Sequence, residues 1–129
     1  MRIAAVLGAD GDTIVPLADG PVVAILDSER GTIQKHENPG WGLMTERRLA
    51  TTQFLISQGV KAACSVPETF CSTSCEAAIQ GGIKFIRLPA GAKFSELIAN
   101  PEGYLREVVS NLPYMELFVK PGAPEEVKE

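Results

Sequence analysis

Apolar positions in this chain fall into short blocks, and their spacing separates strands from helices. Ile3 to Leu7 is an unbroken apolar run closed by Gly8-Ala9-Asp10-Gly11-Asp12, which predicts a central strand buried on both faces and then a turn. Val22 to Leu26 is a second run, rich in β-branched residues, and Asp27-Ser28-Glu29-Arg30-Gly31 leads from it into Thr32 to His36. A short Gly-containing turn between two such runs predicts a hairpin. Its second arm alternates more than it runs apolar, so it belongs nearer the sheet edge.

The period then changes. From Leu43 to Ser57 the apolar positions Leu43, Met44, Ala50, Phe54 and Leu55 recur by seven and four, with Glu46, Arg47 and Arg48 opposite, as in an amphipathic helix. Gly59 ends it ahead of a strand over Val60 to Val66, since glycine readily takes the left-handed stop. Thr73 with Glu76 reads as a capping box, so a second helix is expected to start near Ser74 and run to Gly81-Gly82. Ile83 to Leu88 is the next strand. A short helix follows around Phe94 to Ala99. Asn100-Pro101 caps another, whose apolar face is Tyr104, Leu105, Val108, Val109 and Leu112. Met115, Leu117 and Val119 alternate with Glu116, Phe118 and Lys120 and predict a terminal strand or a docking segment. Pro121 to Glu129, rich in Pro, Glu and Lys, is expected to be mobile.

The order β, β, β, α, β, α, β, α links parallel strands through helical crossovers beside an antiparallel hairpin, which is a three-layer α/β fold with a mixed sheet. A single domain over residues 1–112 with an extension over 113–129 is the expected organisation, and 129 residues suffice for one core. An apolar fraction of 45% with 22% charged residues excludes a disordered chain.

Charge narrows the partners. The net charge is -4 and the only adjacent basic pair is Arg47-Arg48, so neither nucleic acid nor an anionic membrane surface is expected to bind. No apolar run reaches the roughly 18 residues that cross a bilayer, and Met1 to Leu7 meets Gly8 too soon for a signal peptide. A cytoplasmic location is expected, where Cys64, Cys71 and Cys75 stay reduced.

Several stretches taken in order carry a resemblance: the opening strand Met1-Arg2-Ile3-Ala4, the Asp/Gly turn, the hairpin from Val22 to His36, Glu37-Asn38-Pro39-Gly40, and Glu76-Ala77-Ala78-Ile79-Gln80-Gly81-Gly82-Ile83-Lys84. Over roughly residues 1 to 110 the chain resembles the dinitrogenase iron-molybdenum cofactor accessory family, which includes the NifX and NafY type proteins and the C-terminal part of NifB. The resemblance implies a ribonuclease-H-like fold. It also implies a non-enzymatic carrier of iron-sulfur or iron-molybdenum clusters whose partners are metallocofactor assembly proteins or an apo-metalloenzyme. Where family members often carry a His-Phe-Gly-like segment, this chain reads Pro16 to Pro21. In place of a Gly-rich loop before the second helix it has Phe70-Cys71-Ser72-Thr73-Ser74-Cys75.

Open α/β sheets bind ligands beyond the carboxyl ends of their parallel strands. That edge holds Asp10 and the run Cys71, Ser72, Thr73, Ser74 and Cys75. At a helix start, free N–H groups and the positive dipole end favour anions such as cluster sulfides. Cys71 and Cys75 either ligate a metal or are small residues packing a helix start, and His36 is a metal ligand or a plain surface-edge histidine. Cys64, inside an apolar strand, reads as core. With three cysteines and one histidine, a four-cysteine cluster site cannot form within one chain. Cluster sharing across a dimer or non-covalent holding stays open, and the exposed hairpin edge permits a homodimer. The competing readings are a redox- or metal-responsive module using Cys71 and Cys75, and a protein-protein adaptor. A nuclease is excluded on two grounds: the chain lacks a basic surface, and Asp10, Asp12 and Asp19 sit in turns where Asp bonds its own backbone.

Overall fold

The run Ile3 to Leu7 takes the centre of a sheet because both its faces are covered, each residue being at most 3% exposed. The computed structural model describes residues 1–120; the tail from Pro121, expected to be mobile, lies outside them. β1 (Arg2–Leu7), β2 (Ile14–Val15), β3 (Val22–Asp27), β4 (Thr32–Glu37), β5 (Ala62–Ser65) and β6 (Lys84–Arg87) form one mixed sheet in the order β4-β3-β1-β5-β6, with β2 paired to β1. β3 runs antiparallel to both β1 and β4, while β5 and β6 are parallel to β1 and to each other. β2 escapes a reading by periodicity because two residues show no period; it pairs Ile14 with Leu7.

Four helices, α1 (Arg47–Ser57), α2 (Ser72–Gln80), α3 (Phe94–Ala99) and α4 (Pro101–Leu105), complete the fold. Alternate side chains of each strand divide between two apolar clusters. Ala4, Val6, Val23, Ile25, Ala63 and Phe85 meet Leu55 of α1 and Cys75 and Ala78 of α2. Ile3, Ala5, Leu7, Ala24, Leu26, Cys64 and Ile86 meet Phe94 and Leu97 of α3 and Tyr104 of α4. The sheet is therefore sandwiched between two helical layers, as the alternation of crossovers implies. Edge strand β4 is exposed except at His36, which is half-buried.

Three boundaries differ from the sequence expectation, each for a local reason. α1 starts at Arg47, not Leu43, because the preceding turn is tied down by Asn38; Leu43 and Met44 stay outside at 44% and 92% exposure. α2 starts at Ser72, capped by Cys71, where a Thr73–Glu76 box was expected. α4 stops at Leu105, and Val109 instead bridges Phe85 in both directions, continuing the sheet beyond β6. The neighbours Val108 and Val109 pack into opposite clusters, which an extended chain allows and a helix does not. The segment after Pro113 makes a short 3-10 turn at Tyr114–Glu116 and then lies beside Cys71 through Phe118, so it docks without forming a strand.

Candidate functional site

The start of α1 is built by Asn38. Its side chain, 5% exposed, donates to the carbonyls of Leu17 and Gly20 at 2.8 Å each and accepts from the Gly40 N–H at 3.1 Å and the Thr51 hydroxyl at 2.6 Å. Gly40 is obligatory, since a Cβ there would stand 2.3 Å from the Arg47 carbonyl oxygen. Glu46, at φ 53°, then enters the helix with no side-chain cap. The N–H groups of Arg47, Arg48 and Leu49 consequently find no protein acceptor among the described residues. Helix starts carry such orphan donors and a partial positive charge.

The start of α2 is built differently. Cys71 caps it reciprocally with Ser74: the Ser74 N–H points at Sγ at 3.4 Å and the Cys71 N–H donates to the Ser74 hydroxyl at 2.9 Å. Phe70 before the cap and Cys75 inside the helix lie in the same apolar cluster, a staple that fixes the entry angle. The N–H groups of Ser72 and Thr73 have no protein acceptor among the described residues.

The segment after Pro113 supplies an outer wall. Its backbone accepts from Glu68 N–H at Glu116 and donates from Phe118 to the Phe70 carbonyl, both at 2.8 Å, and Glu116 pairs with Arg87. Each partner of that pair favours the charged form of the other, so Glu116 titrates below the usual carboxylate range and Arg87 above its ordinary value. Arg48 stacks its guanidinium 3.8 Å over the Phe118 ring and donates to the Glu68 carbonyl. Burial lowers the Arg48 pKa while the Asp19 carboxylate opposes that shift; a guanidinium stays charged throughout.

These parts enclose a cavity of about 450 Å³. Its charged side is Arg47, Arg48 and Lys120 with Glu46, its polar floor is Cys71, Ser72 and Thr73, and its apolar wall is Leu49, Tyr114, Leu117, Phe118 and Val119. Both helix starts open onto it without an acidic residue in either first turn. Arg47 is held by donating to the Ala18 carbonyl at 2.6 Å, while its buried Nε–H has no partner. Such a cavity can retain an anion through backbone N–H groups and cations, and can shield it from water on the apolar side.

The structure distributes the residues singled out by sequence. Cys71, Ser72 and Thr73 line the cavity; Ser74 is buried in the cap and Cys75 is 4% exposed in the core. The Cys75 thiol faces Asn111 at 3.8 Å, and burial pushes its pKa up. Cys64 is fully enclosed, with its thiol pushed up to about 12. His36 packs edge-on against Phe54 of α1 at 5.3 Å and is not among the residues lining the cavity. Asp10 is occupied within its own turn. It accepts from the N–H groups of Asp12 and Thr13 and from the Thr13 hydroxyl, which holds it well below the usual carboxylate range, and it pairs with Lys93. No three His, Cys, Asp or Glu side chains converge as metal ligands among the described residues; His36 lies away from the cavity, while Cys71 and Cys75 share the start of α2, close enough for the charge of one to act on the other. Asp12 caps α3 through Ser95, and Asp27 accepts from the N–H groups of Glu29 and Arg30, so these carboxylates also serve the backbone. The sequence did not assign Arg47, Arg48 or Lys120 to a site: the lone Arg-Arg pair entered only as the polar side of a helix and in the charge balance, and the segment from Met115 to Lys120 was expected to dock without its docking place being given.

No helix among the described residues is long and apolar enough to cross a membrane. No protein-family model matches the chain, and no curated protein matches it. Among solved structures it is similar to the apo form of the orange protein from Desulfovibrio gigas, with a TM-score of 0.66 and 18% identity over 84% of this chain and 90% of that one. At that identity the likeness is one of fold.

Proposed function

We propose that this protein is a non-enzymatic carrier of an anionic metal-sulfur cluster of the iron-sulfur or iron-molybdenum kind, held during metallocofactor assembly. One observation carries the reading: two helix starts with unpaired N–H groups, two arginines, a lysine and a thiol face a single cavity. The donor set fits some guests and not others. A cluster ligated wholly by one chain needs several thiolates or imidazoles, and no such group converges among the described residues. A sulfide-rich polyanion needs hydrogen-bond donors and positive charge, which the cavity supplies, and Cys71 adds one sulfur ligand. The metal of a bound guest would deprotonate that thiol. The ribonuclease-H-like reading of the fold is supported by the strand order, in which the antiparallel β3 sits between β4 and β1. The solved neighbour supports a ligand-binding role in one respect, since an apo form implies a removable group.

The redox-module reading is less favoured because the Cys75 thiol is buried beside Asn111 and burial raises its pKa, which disfavours the reactive thiolate. Anaerobic incubation with ferrous iron and sulfide, with and without molybdate, followed by desalting and metal analysis, tests the carrier. Stoichiometric metal with broad visible absorption is expected, abolished by Arg47→Gln/Arg48→Gln. Colourless wild-type protein without metal refutes the proposal.

A further inference from the structure

The geometry points to the segment from Pro113 to Lys120 as a hinged gate of the cavity, held shut against a strained turn at Glu68. A guest's entry and exit through this gate rests on the carrier reading; the gate itself needs no guest. The walls of the cavity are anchored unequally. The starts of α1 and α2 are fixed from inside, by the buried Asn38 and the buried Phe70. The outer wall lies on the surface. Leu112, in the core, holds its near end, but the cavity-lining Tyr114 and Val119 are 63% and 44% exposed, and Leu117 packs only at the margin of the core. Among the described residues two backbone hydrogen bonds tie this segment to the body, from the Glu68 N–H to the Glu116 carbonyl and from the Phe118 N–H to the Phe70 carbonyl. The bonds from Glu116 to Pro113 and from Leu117 to Tyr114 are internal and travel with it. Segments with few buried apolar contacts and exposed backbone bonds open locally, ahead of the core.

Glu68 is where the gate presses. Its φ is 70°, and the Thr69 N–H donates to the Val66 carbonyl at 3.1 Å, so Pro67 and Glu68 form the corner of a turn whose left-handed position usually takes glycine or asparagine. A residue with a Cβ is strained there, and such strain persists only where neighbours hold it. Here the neighbours depend on the gate. The Glu68 N–H is bonded to Glu116. The Glu68 carbonyl accepts from Nε and Nη2 of Arg48 at 3.3 and 3.1 Å, while that guanidinium lies 3.8 Å over the Phe118 ring. Lifting the segment frees the N–H, uncovers Arg48 and lets Glu68 relax. The turn is a spring set against closure, and Arg48 over Phe118 is its catch.

Charge does not hold the gate. The Asp19 and Glu68 carboxylates support the charge on Arg48 and Arg47 opposes it. All three belong to the body, so Arg48 keeps its counter-charges whether the gate is open or shut. Among the described residues Glu116 with Arg87 is the ion pair that crosses the gap, and it lies where solvent screens it. Opening therefore gives up mainly the ring contact and two backbone bonds, and water replaces the latter. A guest reaches the helix starts through the open gate, and closure then sheds water from its apolar side.

Amide hydrogen exchange of the guest-free full chain, paired with the kinetics of cluster uptake, tests this. The Glu68 and Phe118 amides should exchange through one shared opening, with equal protection at least about tenfold below that of the Phe85 amide, which bonds to the Val109 carbonyl in the core. The Phe85 amide also checks that each variant stays folded. Phe118→Ala should lower the protection of the Glu68 amide by about fivefold and speed both uptake and release of cluster formed from ferrous iron and sulfide. Glu68→Gly relieves the strain, whereas Glu68→Gln removes the same charge and keeps it. The glycine variant should protect the Phe118 amide about threefold better than the glutamine variant and slow both rates, since the strain relieved exceeds the freedom glycine loses. Glu68 and Phe118 amides protected as well as Phe85, or unequally, overturn the gate. Equal protection in Glu68→Gly and Glu68→Gln overturns the spring. Protein that shows the expected exchange yet takes up no cluster overturns the carrier reading alone.

Discussion

Replacing Asn38 by Ala should destabilise the fold and loosen the cavity together, because one side chain serves both. The substitution removes two donated bonds, to Leu17 and Gly20, and two accepted ones, from Gly40 and Thr51, at a position 5% exposed. A typical hydrogen bond contributes a net of about 0.5–1.5 kcal/mol, and buried groups left unpaired raise the loss. The Thr51 hydroxyl keeps a second acceptor in the Arg47 carbonyl at 3.3 Å, so the sum lands near ~3–4 kcal/mol. Against a total stability of about 5–15 kcal/mol, that is a drop in melting temperature of roughly 10 °C or more. Urea unfolding should show the midpoint falling at constant slope, which assigns the change to the native contacts. Thr51→Val alone should cost about 1 kcal/mol and couple to Asn38→Ala in a double-mutant cycle. Loosening the loop that carries the Ala18 carbonyl also frees Arg47, so cluster retention should fall in parallel. A loss below about 1 kcal/mol would refute the reasoning, since it would mean that the four partners find water or one another at no penalty.

Other outcomes follow from the same geometry. Gly40→Ala should be more damaging than an average surface change, with cluster uptake lost first, because its Cβ would press on the Arg47 carbonyl and the Thr51 hydroxyl; thermal melting and metal analysis read the two effects. Ellman's reagent at pH 8 should label Cys71 rapidly and leave Cys64 and Cys75 unreacted until the chain unfolds, since the first lines the cavity and burial raises the pKa of the other two; fast labelling of a second thiol contradicts this. Arg47→Gln and Arg48→Gln should each weaken cluster binding by about tenfold, more at low than at high ionic strength, because a charge-assisted contact contributes roughly 1.5–3 kcal/mol. Glu116 titrates below its ordinary value of 4.5. The stabilisation from its pairing with Arg87 is therefore complete above that pH and is lost as the pH falls through the lower folded value. The protection of the Phe118 amide against hydrogen exchange, taken relative to its intrinsic rate at each pH, should fall in acid and lose this pH dependence in Glu116→Gln.

Much of the architecture is local in origin and was legible without coordinates. β1 reads as central because a strand covered on both faces must be apolar at every position, and β4 reads as an edge because it alternates. The crossover helices follow from a change of period and from glycines at their ends. The boundaries that shifted are those governed by contacts distant in sequence. α1 begins where Asn38 holds Gly40 and Thr51, and the final apolar residues split between two faces because Phe85 draws Val109 into the sheet. Neither partner is visible in a window of neighbouring residues.

The candidate site divides along the same line. Cys71, Ser72 and Thr73 stood out from the sequence because helix starts at a sheet's carboxyl edge are identifiable from spacing. His36 and Cys75 stood out by residue type, but residue type does not say which way a side chain turns, and packing turned one toward Phe54 and the other into the core. What only tertiary structure decided is the meeting of two helix starts and a C-terminal wall around one cavity. That convergence depends on how α1 and α2 pack side by side on the sheet, and on Phe118 pairing with Phe70 across the chain. Electrostatic attraction for an anion sums over all donors within a few ångströms, whatever their separation along the chain. Composition and spacing therefore set the fold and half the donors, and the folded geometry alone brought them around one cavity.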